Sequence, residues 1–370
     1  MGTTARSLTE RFDGFDYDYW MNCECGGRSK VTAALYCERE GIDALAPCDH
    51  CDRSIHYGPL ATTLRDLDDP ALDDESVSQL AWYHTSTYPD WPSPRYLHET
   101  RHRLESLRRP TFQYFDSMLH NELSKALHVG TYESAIENML RRMRNQSDAS
   151  SHFYLHRVAL RIASSELSSL RNENVEKVSR LLVHDLTARR LTALRYVNVY
   201  ESPGSISLAI DPIVIEYVQS IPIPVRAVLQ QPTAEAVAAV AVAKDAIAIA
   251  RSRMPVTAGI DKDDLDMRVL IGEPGDTVAE KINACNDDLC TAWTTLRTRL
   301  SDQYLDGVSP TVQQRFVNSI GTQSNRKDSD SPHDYHERFR SYSTLLTAGA
   351  HIRNAIADQP TRTAIIDIYP

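Results

Sequence analysis

Apolar and polar positions change their pattern along the chain near residue 224. Before it, short apolar runs of strand length recur between turn residues: Leu80 to Ser86, Leu127 to Val129, Phe153 to Leu160, the two halves of Arg195 to Ile210 around Ser202-Pro203-Gly204, and Ile213 to Val218. In the first of these, Trp82 and His84 fall on one side of an extended segment and Tyr83 and Thr85 on the other, and Tyr88-Pro-Asp-Trp-Pro92 closes it with a rigid aromatic loop. Helical periodicity occurs at Tyr96 to Arg109, at Tyr132 to Arg144 with Ile136, Met139, Leu140 and Met143 on one face, and at Asn172 to Leu194. Residues 61–79 are rich in Asp and read as a solvated acidic linker. Beyond Ile221-Pro-Ile-Pro224 the composition turns helical. Thr233 to Arg253, nearly all Ala, Val and Ile, predicts a buried helix capped by Thr233 and stopped before Pro255. An acidic stretch at 258–276 follows, then helices at Thr277 to Leu300, Val312 to Ile320 and Tyr335 to Ala357. The pattern predicts an α+β protein with an N-terminal segment at 19–60, a core at 61–224 and a helical domain at 225–370. Ala364 to Tyr369 is the one later run that could join a core sheet.

Composition narrows the classes. With 370 residues and 42% hydrophobic content the chain can bury a proper core. Lys and Arg number 40 against 50 Asp and Glu, a net charge of -10, which opposes bulk attraction to nucleic acid or anionic lipid. No apolar run approaches the roughly 18 residues of a membrane span, so no membrane partner is expected, and the N-terminus lacks the apolar stretch of a signal peptide. The expectation is a cytoplasmic protein. Arg101, Arg103, Arg108 and Arg109 make the most basic patch of the first half, suited to steering a phosphate or simply to a solvated helix face.

Five of the seven cysteines lie between Cys23 and Cys51. Cys23-Glu-Cys25-Gly-Gly and Cys48-Asp-His-Cys51 each sit in a turn flanked by Gly or Pro, and four thiolates so spaced can close a tetrahedral zinc site. The region resembles a zinc ribbon, with Lys30 to Tyr36 as one short strand. Its first knuckle is CxC rather than CxxC, which leaves Cys37, His50 and His56 as substitute ligands. Four protein ligands leave no open position, so the zinc would be structural. Cys285 and Cys290 lie on different faces of a predicted helix and read as buried thiols.

Three stretches carry chemistry. Leu80 to Trp91 holds a lone His between an aromatic pair and two hydroxyls. Ala126 to Ala135 breaks at Gly130 and opens into a helix with Thr131 as N-cap, a place for an anion or a pure cap. Arg195 to Ile210 sets Asn198, Tyr200 and Glu201 near a bend. Taken in order, WYHTS, LHVGTYESA, FYLHRVAL and YVNVYE resemble the core of an ADP-ribosyltransferase of the His-Tyr-Glu type, the group of diphtheria toxin and the poly-ADP-ribose polymerases, over roughly residues 80 to 220. The resemblance implies a split-sheet core that transfers ADP-ribose from NAD to a protein or nucleic-acid acceptor, as a bacterial or phage effector or toxin does. His84 and Thr85 stand where the family has His-Gly, with Thr85 replacing the Gly that faces the nicotinamide amide. His128 and Ser134 match the middle motif, with Tyr132 as the alternative stacking ring. Glu201 is the carboxylate implied to stabilise the transition state, with Asn198 the alternative in that strand register. His84 and Glu201 are thus the implied catalytic pair, and Thr85, His128, Tyr132, Ser134 and Asn198 join His84 in binding NAD.

The set makes physical sense. Breaking a glycosidic C–N bond with a neutral leaving group needs little acid catalysis, only orientation and negative charge near the developing cation. No GxGxxG, GxxxxGKS, HExxH or GxSxG occurs, which disfavours Rossmann, P-loop, zincin and hydrolase sites. Two alternatives stay open: an NAD glycohydrolase on the same scaffold, and a zinc-dependent module that binds nucleic acid or protein without catalysis.

Overall fold

The computed structural model describes residues 6–11, 14–38, 43–58, 60–61, 63–106, 108, 114–145, 152–256, 262–271, 277–321 and 331–364. Contacts cluster into two compact units. One contains residues up to Val228 together with Gly307–Ser319 and Ala348–Pro370; the other contains Leu229–Asp306 and Ile320–Thr347. The contact boundary after Val228 lies close to the composition change at residue 224, and Gly307–Ser319 and Ala348–Pro370 cluster with the first unit.

The first unit opens with two hairpins, β1 (Tyr19–Asn22) with β2 (Arg28–Val31), and, after helix α1 (Ala33–Glu38), β3 (Ala44–Pro47) with β4 (Ser54–Tyr57). The expected strand at Lys30 to Tyr36 stops at Val31, because Thr32 caps α1 by accepting a bond from the Leu35 amide. Then come β5 (Trp82–Ser86), α2 (Pro94–Ser106), α3 (Phe115–Leu123), β6 (Leu127–Val129), α4 (Tyr132–Asn145), β7 (Phe153–Leu160), β8 (Arg171–Asn172), α5 (Glu173–Glu176), α6 (Val183–Ala188), β9 (Ala193–Val197), β10 (Ile206–Ile210) and β11 (Ile215–Ile223). Two sheets form, ordered β6-β10-β9-β8 and β11-β7-β5, antiparallel except where β8 meets β9. Apolar sequence sets the strands: β9 and β10 are buried at every position, as is β7 at all but Tyr154. Both sheets contribute to one core that includes Trp82, Val158, Leu160, Leu208, Ile210 and Val218.

The sheets join where β5 runs beside β6. Tyr83 and Gly130 exchange backbone hydrogen bonds of 2.8 and 3.0 Å. Gly130 is required there: a Cβ would sit 2.8 Å from Ser207 Oγ and 2.9 Å from Ser134 Cβ.

Residues 172–194 depart most from the expected single helix. Asn172 caps α5 by accepting from the Asn174 and Val175 amides, and Lys177 ends it in the left-handed region at φ 52°. A 3-10 turn and α6 follow, so Leu181, Leu186 and Leu194 reach one small core with Tyr196 from three separate elements. The acidic stretch at 61–79 is not a free linker either: Asp69 pairs with Arg11 at 3.3 Å, Asp74 with Arg195 at 2.6 Å and Asp68 with Arg28 at 3.0 Å. On α4, buried Glu137 pairs with Arg65 at 3.0 Å and accepts from the Tyr17 hydroxyl at 2.7 Å, with Arg65 lying over the Tyr17 ring. Charge this deeply buried is tolerated only when paired and bonded.

The remaining helices are α7 (Ala234–Arg253), α8 (Lys262–Ile271), α9 (Thr277–Tyr304), α10 (Pro310–Gly321), α11 (Pro332–Thr347) and α12 (Gly349–Ala357). α8 lies in the acidic stretch at 258–276, and the expected helix from Tyr335 to Ala357 breaks around Ala348, with α12 in the first unit. Thr233 caps α7 as expected, accepting from the Ala236 amide at 3.1 Å. The helix is not buried, however: only Ala236, Ala243, Ile247 and Ala250 are. Cys285 is buried in α9 but Cys290 is exposed, since five residues turn them apart. Arg362 pairs its backbone with Val218 of β11 and donates to the Trp91 carbonyl at 2.6 Å, and Ala364 packs in the core; residues 365–369 of the expected run lie outside the described residues.

Candidate functional site

Two groups of side chains stand out in the first unit. Cys23, Cys25, Cys48 and Cys51 bring their sulfurs within 4.8 Å of one another. Cys23 and Cys51 are 3.6 Å apart and Cys25 and Cys48 3.7 Å. A tetrahedral ion with bonds of about 2.3 Å needs sulfurs about 3.8 Å apart, so four cysteines in this arrangement could hold a metal ion. The turns create the geometry: Gly26 adopts φ 84°, and the Cys23 amide donates to the Gly27 carbonyl while the Cys48 amide donates to that of Arg53. Donors also face the sulfurs. The Ser29 hydroxyl and the His50 amide each lie 3.4 Å from Cys48 Sγ and pull that thiol down to about 6. Of the substitute ligands, His50 donates Nε2–H to the Arg28 carbonyl at 3.0 Å, His56 is exposed on β4, and the Cys37 side chain lies outside the described residues.

The second group lines a cleft of about 330 Å³ beside the β5–β6 junction. His84 sits mid-strand on β5, stacked on Trp91 with ring centroids 3.9 Å apart. Its Nδ1 is 2.9 Å from the His128 carbonyl, which can only accept; Nδ1 therefore carries the proton and Nε2 is left as an acceptor. Burial, with Arg142 nearby, pushes this imidazole down to about 3, so it is neutral at pH 7. His128 follows on β6, its Nδ1 3.0 Å from the Tyr196 hydroxyl, and burial holds it down to about 4.

Glu201 comes from the β9–β10 connection. Its carboxylate accepts from Asn138 Nδ2 and, at 2.5 Å, from Arg141, both on α4. The loop that carries it is built by Asn198, whose buried Oδ1 accepts from the Glu201 and Ser202 amides at 3.1 and 3.2 Å. Asn198 thus shapes the turn, and Glu201 is the carboxylate it presents. Ser134 ties the same loop to α4 through Ser202 and Ser205 Oγ at 3.1 and 2.8 Å, and Thr131 caps α4 by accepting from the Ser134 amide at 3.0 Å. The helix start is therefore filled by hydroxyls rather than open to an anion. The Thr85 hydroxyl donates to the Ala135 carbonyl at 3.0 Å, pinning β5 to the same helix.

His84, Thr85, His128, Ser134, Asn198 and Glu201, nominated from three separated stretches, line one pair of adjoining pockets. Tyr132 does not. It is 1% exposed and packs edge-on against Phe15 and Tyr83, with Arg353 over its ring. Several residues of the cleft escape sequence reasoning. Asn138, Arg141 and Arg142 follow Ser134 at helical spacing on α4, a signal that was present in the sequence. Glu173 and Tyr196 carry no local signal: Glu173 falls within the expected helix from Asn172 to Leu194, and only folding brings it to the loop, where it accepts from the Val199 amide at 2.6 Å and the Tyr200 amide at 3.3 Å. Burial, with Glu201 as a neighbour, pushes Glu173 up to about 7. Arg103, Lys125, Arg141 and Arg142 supply positive charge to the same cleft. Of the predicted basic helix face, Arg103 alone lines the cleft; Arg108 lies past α2, paired with Asp116, and Arg109 lies outside the described residues.

No helix among the described residues is long and apolar enough to cross a membrane. Compared with known proteins, the chain matches no family model, no curated protein and no solved structure.

Proposed function

We propose that the chain transfers ADP-ribose from NAD to a macromolecular acceptor, with a zinc ion held by Cys23, Cys25, Cys48 and Cys51 in a purely structural role. The observation that carries the reading is the convergence of His84, His128 and Glu201 in one cleft between two sheets. The chemistry fits. Nε2 of neutral His84 is free to accept a ribose hydroxyl, and His128 takes the place beside the nicotinamide ring that the buried Tyr132 cannot. Thr85 turns its hydroxyl to the Ala135 carbonyl and accepts from Arg142 at its own carbonyl, 3.3 Å away, which holds the β5 edge of the cleft against α4. Arg103, Lys125 and Arg142 suit a diphosphate.

Glu201, oriented by Asn138 and Arg141, sets a carboxylate beside the ribose. The bond from C1′ to the nicotinamide nitrogen breaks, nicotinamide leaves neutral with the electron pair, and the acceptor's nucleophile bonds C1′ and gives up its proton. Negative charge from Glu201 lowers the energy of the cation developing between those events. The zinc assignment follows from the sulfur spacing and from the preference of thiolates for zinc.

The test is incubation of the purified chain with labelled NAD and cell extract, beside Glu201→Gln and His84→Ala. Label on protein or nucleic acid that disappears in both variants supports transfer. Free ADP-ribose alone assigns a glycohydrolase, and no consumption of NAD overturns the proposal in favour of a binding module.

A further inference from the structure

The outer side of α7 has a sequence that is complementary to itself. Ala236, Ala243, Ile247 and Ala250 face inward, yet Val242 is 66% and Ile249 50% exposed. Glu235, Ala239, Val242, Ala246, Ile249 and Arg253 follow at alternating steps of four and three, the seam spacing of a helix that pairs with another helix. This seam, from Glu235 to Ile249, forms one wall of an open groove of about 670 Å³ whose other wall is α9, contributing Asp288, Thr291, Thr295 and Arg299.

We propose that the groove is covered by the same face of a second copy of the chain, running antiparallel about a two-fold axis beside Lys244. In that register Glu235 opposes Arg253, Ala239 opposes Ile249 and Val242 opposes Ala246, so each large side chain meets a small one and helices can approach closely. An isologous contact requires this reciprocity, in which residue i meets j and j meets i. α9 repeats it. Asp288 lies 3.5 Å from Arg253, and Arg299 lines the groove with Glu235 toward the other end. Each end thus offers one acid and one base, and the partner's opposite end offers the complementary two. A parallel pairing would set Glu235 on Glu235 and Arg253 on Arg253. An unrelated helix would fit the apolar groove without accounting for the palindromic order of charge and size.

Sedimentation equilibrium on the full chain tests the register. Wild type is expected to dimerise in a concentration-dependent manner, and Val242→Glu to be monomeric with an unchanged circular dichroism spectrum. Glu235→Arg and Arg253→Glu should each weaken association by about tenfold, since every pair occurs twice, and the double reversal should restore it. A wild type that stays monomeric at its highest soluble concentration, a dimer indifferent to Val242→Glu, or a double variant no tighter than the singles overturns the proposal.

Discussion

The cysteine cluster and the cleft belong to one compact unit, but different forces hold them. The cluster hangs on two hairpins with four-residue strands; Tyr19, Met21, Val31 and Tyr57 are buried there, and the proposed ion would add the link between the two cysteine turns. The cleft is fastened from within. Its walls are two sheets and α4, locked by the serine cluster, the Asn198 turn and the buried Arg65–Glu137 pair. With the proposed ion in place, a site of the first kind draws on an external ligand, and one of the second kind on the completeness of its polar network.

Removing the metal should separate the two most sharply. Chelation, or Cys48→Ser, is expected to lower protection from hydrogen exchange sharply in β1 to β4 while protection in β7 and β10 persists, because structural zinc contributes about 10–16 kcal/mol in small zinc domains. Protein purified without added zinc that carries no metal, and is unchanged by Cys48→Ser, contradicts the assignment.

The network should fail by a different route. Arg65→Met strands Glu137 in the core and should cost about 3–5 kcal/mol in denaturant unfolding, whereas Arg65→Met with Glu137→Leu should recover most of it. A single variant within about 1 kcal/mol of wild type would mean that the pair is not holding α4. Glu173 sharpens the contrast through pH. Its folded value near 7 lies above the 4.5 of an ordinary Glu, so its favourable contribution is complete below pH 4.5 and lost as pH rises through 7. Glu173→Gln should therefore match wild type at low pH and be more stable, by roughly 1–3 kcal/mol, above about pH 8; thermal unfolding across that range checks the sign. Smallest is the cap on α4, where Thr131→Ala should cost about 1 kcal/mol by chemical denaturation.

The same division decided what could be read from sequence. Cys23, Cys25, Cys48 and Cys51 announce themselves because metal chemistry is written in local spacing. β7 was legible as a run from Phe153 to Leu160 because a central strand is apolar throughout. His84, His128 and Glu201 could be nominated one by one, but only the fold brings them to one cleft. Residues 172–194 misled because leucines at helical spacing also suit three short elements, and nothing in the pattern announces the left-handed turn at Lys177. Tyr132 misled for a related reason: an aromatic at a helix start serves a core as well as a ligand. The apolar composition of α7 was plain, but composition cannot distinguish a helix buried in its own chain from one whose outer face awaits a partner.

Whether Glu201 acts on the ribosyl transition state in an NAD-binding cleft, as proposed, is tested most directly by measuring NAD affinity and NAD turnover on the same preparations of wild type and Glu201→Gln. A carboxylate that acts only in the transition state should leave the dissociation constant nearly unchanged while turnover falls by about two to four orders of magnitude. Equal turnover in the two proteins, or a loss of affinity that accounts for the whole loss of rate, would contradict it.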